Sequence, residues 1–206
     1  MKVLGITGTS GSGKTALSEI LKLRDNVIII DADKVVKEIS VPGTEYFSSI
    51  KESFGNDVIL ENGNLNRKVL AEKIYSNKED CEKLNKLTFK YVVKEIVERI
   101  KKIKEEQLEN NNYEKKRIDF LVIDAPLLFE SGLNEYCDYI ISLIAEKELK
   151  IERICARDNI DRKTAEGRLS IQQSDEYYIE KSDFIINNNR ECDLKKEIEK
   201  LSIWGR

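Results

Sequence analysis

Histidine is absent from the sequence, and with it every Ser-His-Asp triad, imidazole general base and His-ligated metal site. Proline occurs only at Pro42 and Pro126, so each ring marks a local constraint worth locating. The four cysteines, Cys81, Cys137, Cys155 and Cys192, form no C-x-x-C pair and no metal-ligand spacing. Reduced thiols in a cytoplasmic protein are the expectation. No apolar run approaches the ~20 residues that cross a bilayer, and the short apolar stretch Met1–Thr7 runs into a glycine-rich turn, which is not a secretory pattern. An excess of positive charge is missing too. Lys and Arg total 35 against 38 Asp and Glu, a formal net charge of −3, which leaves no global basic field to draw nucleic acid. The expectation is a cytoplasmic protein that binds neither nucleic acid nor membrane.

What is present is a chain of 206 residues, 40% hydrophobic and 35% charged. That is too apolar for disorder, too charged for a membrane protein, and long enough for one medium domain or one domain with a large insertion. Short β-branched runs alternate with helical patterns: Val3–Ile6, a helix over about 13–22, then Val27–Ile30, Phe120–Ile123, Tyr139–Ile144 and Phe184–Ile186. Continuous apolar strands separated by helices predict a parallel sheet covered on both faces. The roughly 90 residues between the second and third runs carry Val69, Leu70, Ile74, Leu84, Leu87, Val92, Ile96 and Ile100 at helical spacing, which reads as an inserted helical subdomain. The polar stretch 101–116 reads as the solvated end of a long helix followed by a loop.

Gly8-Thr9-Ser10-Gly11-Ser12-Gly13-Lys14-Thr15 matches G-x-x-x-x-G-K-[ST] between a strand and a helix. Glycines let successive N–H groups curl round a phosphate, and the helix N-terminus adds its positive end. Lys14 reaches the β- and γ-phosphates, and the Thr15 hydroxyl suits Mg²⁺. After the second strand come Asp31-Ala32-Asp33. Were that strand to lie near the first, either acid could face the γ-phosphate and take a proton or position the metal; either could equally cap the following helix. Asp124 ends the third strand as a Walker B acid, placed to support the phosphate loop or the Mg²⁺ shell. The apolar Pro126-Leu127-Leu128-Phe129 loop reads as pocket wall or as core. Past the fourth strand, Arg153, Arg157 and Arg168, with Gln172, fall on helical patterns that could form a lid over a triphosphate, with surface pairing to neighbouring acids as the alternative. Arg162 and Lys163 read as solvent-facing. Asn77-Lys78-Glu79-Asp80 matches a guanine-reading pattern, but it follows a helix and precedes the Walker B strand, so it reads as a helix start.

In this order, the pieces resemble the dephospho-CoA kinases over nearly the whole chain. Asp31-Ala32-Asp33 with Pro42-Gly43 is similar to that family's acid motif and turn. Phe54-Gly55, Gly63 and Leu65–Leu70 are similar to its substrate-side segment, and Asp124 with Pro126-Leu127-Leu128-Phe129-Glu130 to its most recognisable loop. Arg153, Ala156-Arg157-Asp158, Arg168 and Gln172 fall at its lid spacings, and Asp183, Ile186 and Asn188 at its last strand. The chain departs from the usual pattern at Phe89-Lys90 (His-Pro in the family), Lys150 (Gln), Ser174 (Pro), Tyr178 (Lys) and Asn189 (Gly).

The resemblance implies an α/β P-loop kinase of three α/β/α layers with a five-stranded parallel sheet. Residues 1–32 with 117–206 would form the nucleotide-binding core, 33–116 an inserted helical CoA-binding subdomain, and 150–182 a helical lid. It implies Mg²⁺- and ATP-dependent phosphorylation of the 3′-hydroxyl of dephospho-CoA, the last step of coenzyme A synthesis, by a monomer or weak homo-oligomer. On this reading Asp33, Lys14 and Arg157 are catalytic. Gly8, Ser10, Gly11, Ser12, Gly13, Lys14, Thr15, Arg157 and Asn188 bind ATP, with Asn188 beside the adenine. Asp33, Arg67, Lys68, Leu128, Phe129 and Arg168 bind the acceptor, and Thr15 and Asp124 hold Mg²⁺. The rival expectations are another P-loop kinase acting on a nucleoside or nucleotide, and a nucleotide-binding regulatory module without transfer chemistry.

Overall fold

A computed structural model describes residues 1–109 and 117–204. The polar segment 110–116, read above as a loop, lies outside the described residues. Five strands form one sheet: β1 (Lys2–Gly8), β2 (Val27–Asp31), β3 (Phe120–Asp124), β4 (Tyr139–Ile144) and β5 (Phe184–Asn187), in the order β2-β3-β1-β4-β5. The β1–β3, β1–β4 and β4–β5 pairs are parallel. Every residue of β3 is buried, whereas β2 is mostly half-buried. A strand apolar on both faces needs neighbours on both edges, so β3 sits inside and β2 takes the margin. This corrects the condition placed on β2 above, because β3 stands between it and β1.

The described chain divides into two compact units, one of Met1–Ile29 with the described part of Asn110–Arg206, the other Ile30–Glu109. In the first, helices α1 (Lys14–Lys22) and α9 (Leu194–Lys200) supply Leu17, Leu21 and Ile198 to a core that includes Leu4, Ile6, Val122, Ile141, Leu143 and Ile186. These strand residues alternate with others that face the opposite side of the sheet, where Gly5 lies against Leu128 and Cys137. Pro126 stiffens the exit of β3, and its carbonyl accepts the Thr7 hydroxyl at 3.2 Å. Helices α6 (Lys147–Asp158), α7 (Arg162–Ser170) and α8 (Asp175–Lys181) follow β4.

The second unit is helical: α2 (Ala32–Ile39), α3 (Glu45–Phe54), α4 (Arg67–Ser76) and the 32-residue α5 (Lys78–Glu109). Three of these helices start on side-chain caps, in which Asp31, Thr44 and Asn66 accept from the N–H groups of Lys34, Phe47 and Val69. Pro42 falls in the turn between α2 and α3, where a chain leaving a helix tolerates the missing N–H. Tyr46, Ile50, Phe54, Val58 and Leu70 make the core, packed against Leu84, Leu87 and Tyr91. Val92, Ile96 and Ile100 carry the buried stripe of α5 onward at four-residue spacing. Asn77 ends α4 and its side chain accepts from the Glu79 N–H as α5 begins. The guanine-reading pattern is thus a helix junction, as its context indicated.

Candidate active site

The parallel register brings the strand ends to one edge of the sheet: Ile6 pairs with Asp124, Gly8 with Leu143 and Ile144 with Asn187. The loop Gly8–Thr15 leaves β1 at that edge and enters α1, with Gly13 as N-cap in the left-handed region, φ 104°. Gly11 is also left-handed, φ 78°. Space excludes a side chain at both. A Cβ on Gly13 would sit 1.9 Å from the Asn188 amide nitrogen, and one on Gly11 would sit 2.5 Å from the Lys150 carbonyl oxygen. Gly11→Ala is therefore expected to lower Tm by roughly 5 °C, because a left-handed L-residue costs about 1–2 kcal/mol before that backbone contact is counted. Calorimetry showing an unchanged Tm would contradict this packing.

The loop is tied back from behind. Asn188 Nδ2 donates to the Ser12 carbonyl at 2.8 Å. Arg153 donates to the carbonyls of Gly11 at 3.1 Å and Asn188 at 3.0 Å. In a trans peptide the C=O and the following N–H point opposite ways, so holding the Ser12 carbonyl against Asn188 turns the Gly13 N–H to the other side. The hydroxyls of Thr9 and Ser12 are buried with no hydrogen-bond partner in the structure. Free loop donors at a helix N-terminus suit an anionic oxygen group.

Lys14 pairs with Asp124, whose second carboxylate oxygen accepts from Ser18. Ser18 lies one helical turn beyond Lys14, on the same face. Asp124 thus supports the loop lysine, the first of the two roles its strand position allows. Its metal role rests on fit: Thr15 is an exposed hydroxyl in the first turn of α1, and Mg²⁺ takes one or two protein oxygens and completes its shell with phosphate and water. No cluster of three or more His, Cys, Asp or Glu suited to a metal exists among the described residues.

From the helices after β4, Arg157 donates to both oxygens of Asp158 at 2.8 and 2.9 Å, and to Ser10 Oγ at 3.3 Å. Arg168 donates to Asp158 at 2.5 Å. The Arg157 hydrogen bond, then the charges of both arginines, hold the Asp158 carboxyl down at about 2. One carboxylate shared by two guanidiniums leaves net positive charge beside the phosphate loop. Gln172 lies past the end of α7, and its carbonyl oxygen accepts the Ser10 N–H at 2.9 Å. Arg162 is spent on Glu148 and Glu166, and both it and Lys163 are exposed.

Two assignments change. Asn188 is a buried brace whose amide is committed to Ser12, a part in holding the phosphate loop that the sequence reading did not give it. Leu128 is fully buried beside Gly5, so for it the core alternative holds. Phe129 is half-buried and packs edge-on to Tyr177 at 5.7 Å. Asp31 is the cap of α2, accepting from the Lys34 N–H at 3.0 Å. In the helical unit Asp33 stands exposed in the first turn of α2, and Arg67 and Lys68 are exposed at the start of α4. The bracing by Arg153 and the Ser18 contact were missed in the sequence. The four-residue step from Lys14 was the available signal for Ser18, and none existed for Arg153.

The dephospho-CoA kinase (CoaE) family model matches residues 2–193. A dephospho-CoA kinase of Fusobacterium nucleatum is 36% identical over 200 residues, covering 97% of this chain and 96% of the relative. The structure of a dephospho-CoA kinase from Campylobacter jejuni superposes with a TM-score of 0.68 at 25% identity, covering 99% of this chain and 98% of that one. Protein TT1252 from Thermus thermophilus, at 20% identity, shares the fold with a TM-score of 0.76 over 96% of this chain and 94% of its own.

Proposed function

The chain belongs to the dephospho-CoA kinase family, and from that premise we propose how its residues divide the reaction. It is a kinase that phosphorylates the 3′-hydroxyl of dephospho-CoA, the step that completes coenzyme A. The donor in this reading is ATP, with its phosphates on Gly8–Thr15. Mg²⁺ would be held by Thr15, with Asp124 behind it, and would neutralise charge on the phosphate oxygens.

Lys14 moves from Asp124 onto the β- and γ-phosphates as they arrive. Arg157, already beside Ser10, offers its guanidinium to the charge that builds on the transferred phosphoryl group, and Arg168 supports it through Asp158. Asp33 orients the acceptor hydroxyl and takes its proton. A carboxylate is a weak base, but a loose transition state needs that proton removed late. Arg67 and Lys68 receive anionic groups of the acceptor. The enzyme works in the cytoplasm on this reading.

The observation that carries the proposal is the tied-back loop with its Lys14–Asp124 pair. The test is purified protein with Mg-ATP and a panel of dephospho-CoA, AMP, CMP, adenosine and pantetheine, with products resolved by mass. Stoichiometric gain of one phosphoryl group by dephospho-CoA is expected. Preference for a nucleoside or nucleotide, or slow hydrolysis without an acceptor product, would overturn it.

A further inference from the structure

Among the described residues only two charged ones are buried, Asp124 and Lys150. Asp124 has a role in the phosphate site. Lys150 has none, and it occupies a position where the chain departs from the family's usual residue. A buried ammonium is strongly unfavourable unless paired, and Lys150 Nζ reaches both oxygens of Asp175, at 2.8 and 2.9 Å. An apolar pair of the same volume would serve stability as well or better. What an ion pair adds is a fixed geometry, so the contacts around it matter.

Those contacts form a circuit. The backbone of Lys150 lies against Gly11 of the phosphate loop, so closely that a Cβ there would meet its carbonyl at 2.5 Å. The side chain then crosses to Asp175, the first residue of α8. Ser174, another departure from the family pattern, caps that helix by accepting from the Tyr177 N–H. Three residues before Asp175, Gln172 returns to the loop and accepts the Ser10 N–H. We propose that Lys150 and Asp175 are a positioning pair for phosphoryl transfer: they fix the turn between α7 and α8 against the phosphate loop so that Gln172 holds Ser10, and they act on ATP through that contact. The inference rests on the phosphate-loop reading above and adds two residues to which that reading gives no part.

The experiment is a cycle on the full chain with Lys150→Gln, Gln172→Ala and the double variant, reading kcat, both KM values and Tm. Each single change is expected to raise the KM for ATP about tenfold, and the double change to raise it no further, since coupled residues are non-additive. The KM for dephospho-CoA should stay within about twofold, which general loosening of the fold would not produce. Losses that multiply, or an ATP KM unchanged by Lys150→Gln, would overturn the proposal. Should Lys150→Gln show no cooperative melt, Asp175→Asn replaces it in the same cycle: a non-additive rise in the ATP KM supports the pair, and a multiplying or absent one overturns it. If the wild-type protein does not phosphorylate dephospho-CoA, the acceptor assignment fails on its own. The cycle is then read from Mg-ATP titration of the same variants.

Discussion

Lys14→Ala should lower kcat by on the order of 10²–10³, the size of effect seen when one preorganised donor to developing charge is removed. Lys14 and Asp124 are 16% and 9% exposed at their side chains, so deleting the lysine also strands a buried carboxylate. Breaking such a pair costs about 3–5 kcal/mol, and Ser18 on the other oxygen of Asp124 relieves part of it. Stability and catalysis therefore fall together, and they separate in a second variant. Lys14→Ala with Asp124→Asn removes the stranded charge, so Tm should recover while kcat remains low. Melting curves and turnover on both variants check this. Near-normal turnover in Lys14→Ala would sink the assignment of the phosphate loop, and recovery of kcat along with Tm would reduce Lys14 to a structural role.

The difference between what was legible in the sequence and what was not follows chain distance. The apolar runs at 3–6, 120–123 and 139–144 are buried on both faces and declare themselves without any partner in view. Gly8–Thr15 is equally local, since a strand, a tight loop and a helix start make the phosphate motif within eight residues. Asn188 and Arg153 do their work on carbonyls more than 140 positions earlier in the chain, and no spacing encodes that. An Asn after the last strand is the same letter whether it flanks a base or ties down a loop. Leu128 failed for a related reason, because an apolar loop residue reads alike as pocket wall and as core until the small residue it covers, Gly5, is known. The place of β2 was decided by competition. Three apolar strands need two neighbours each, and the least buried one is left with the edge.

Asp33→Asn is expected to cut kcat by about 10²–10⁴, the range for a positioned general base, while ATP affinity stays near that of the wild type. The two acids of Asp31-Ala32-Asp33 differ in what the fold asks of them. The carboxylate of Asp31 accepts the Lys34 N–H and starts α2. Asn caps a helix about as well as Asp, so Asp31→Asn should leave both Tm and kcat nearly unchanged. Asp31→Ala, which has no cap, should cost about 1 kcal/mol of stability. Asp33 lies in the first turn of α2, two residues past the cap. It belongs to the same helical unit as Arg67 and Lys68, the residues assigned to the acceptor. On the proposed reading its carboxylate takes the proton of the acceptor hydroxyl. Asn keeps the size and one accepting oxygen but gives up the basicity, so the acceptor still binds and the transfer slows. That pattern is a fall in kcat with little change in either KM. Paired kinetics and Mg-ATP titration on the Asn variants decide it at saturating Mg²⁺. Wild-type turnover in Asp33→Asn together with a dead Asp31→Asn would reverse the roles and make the helix cap the base.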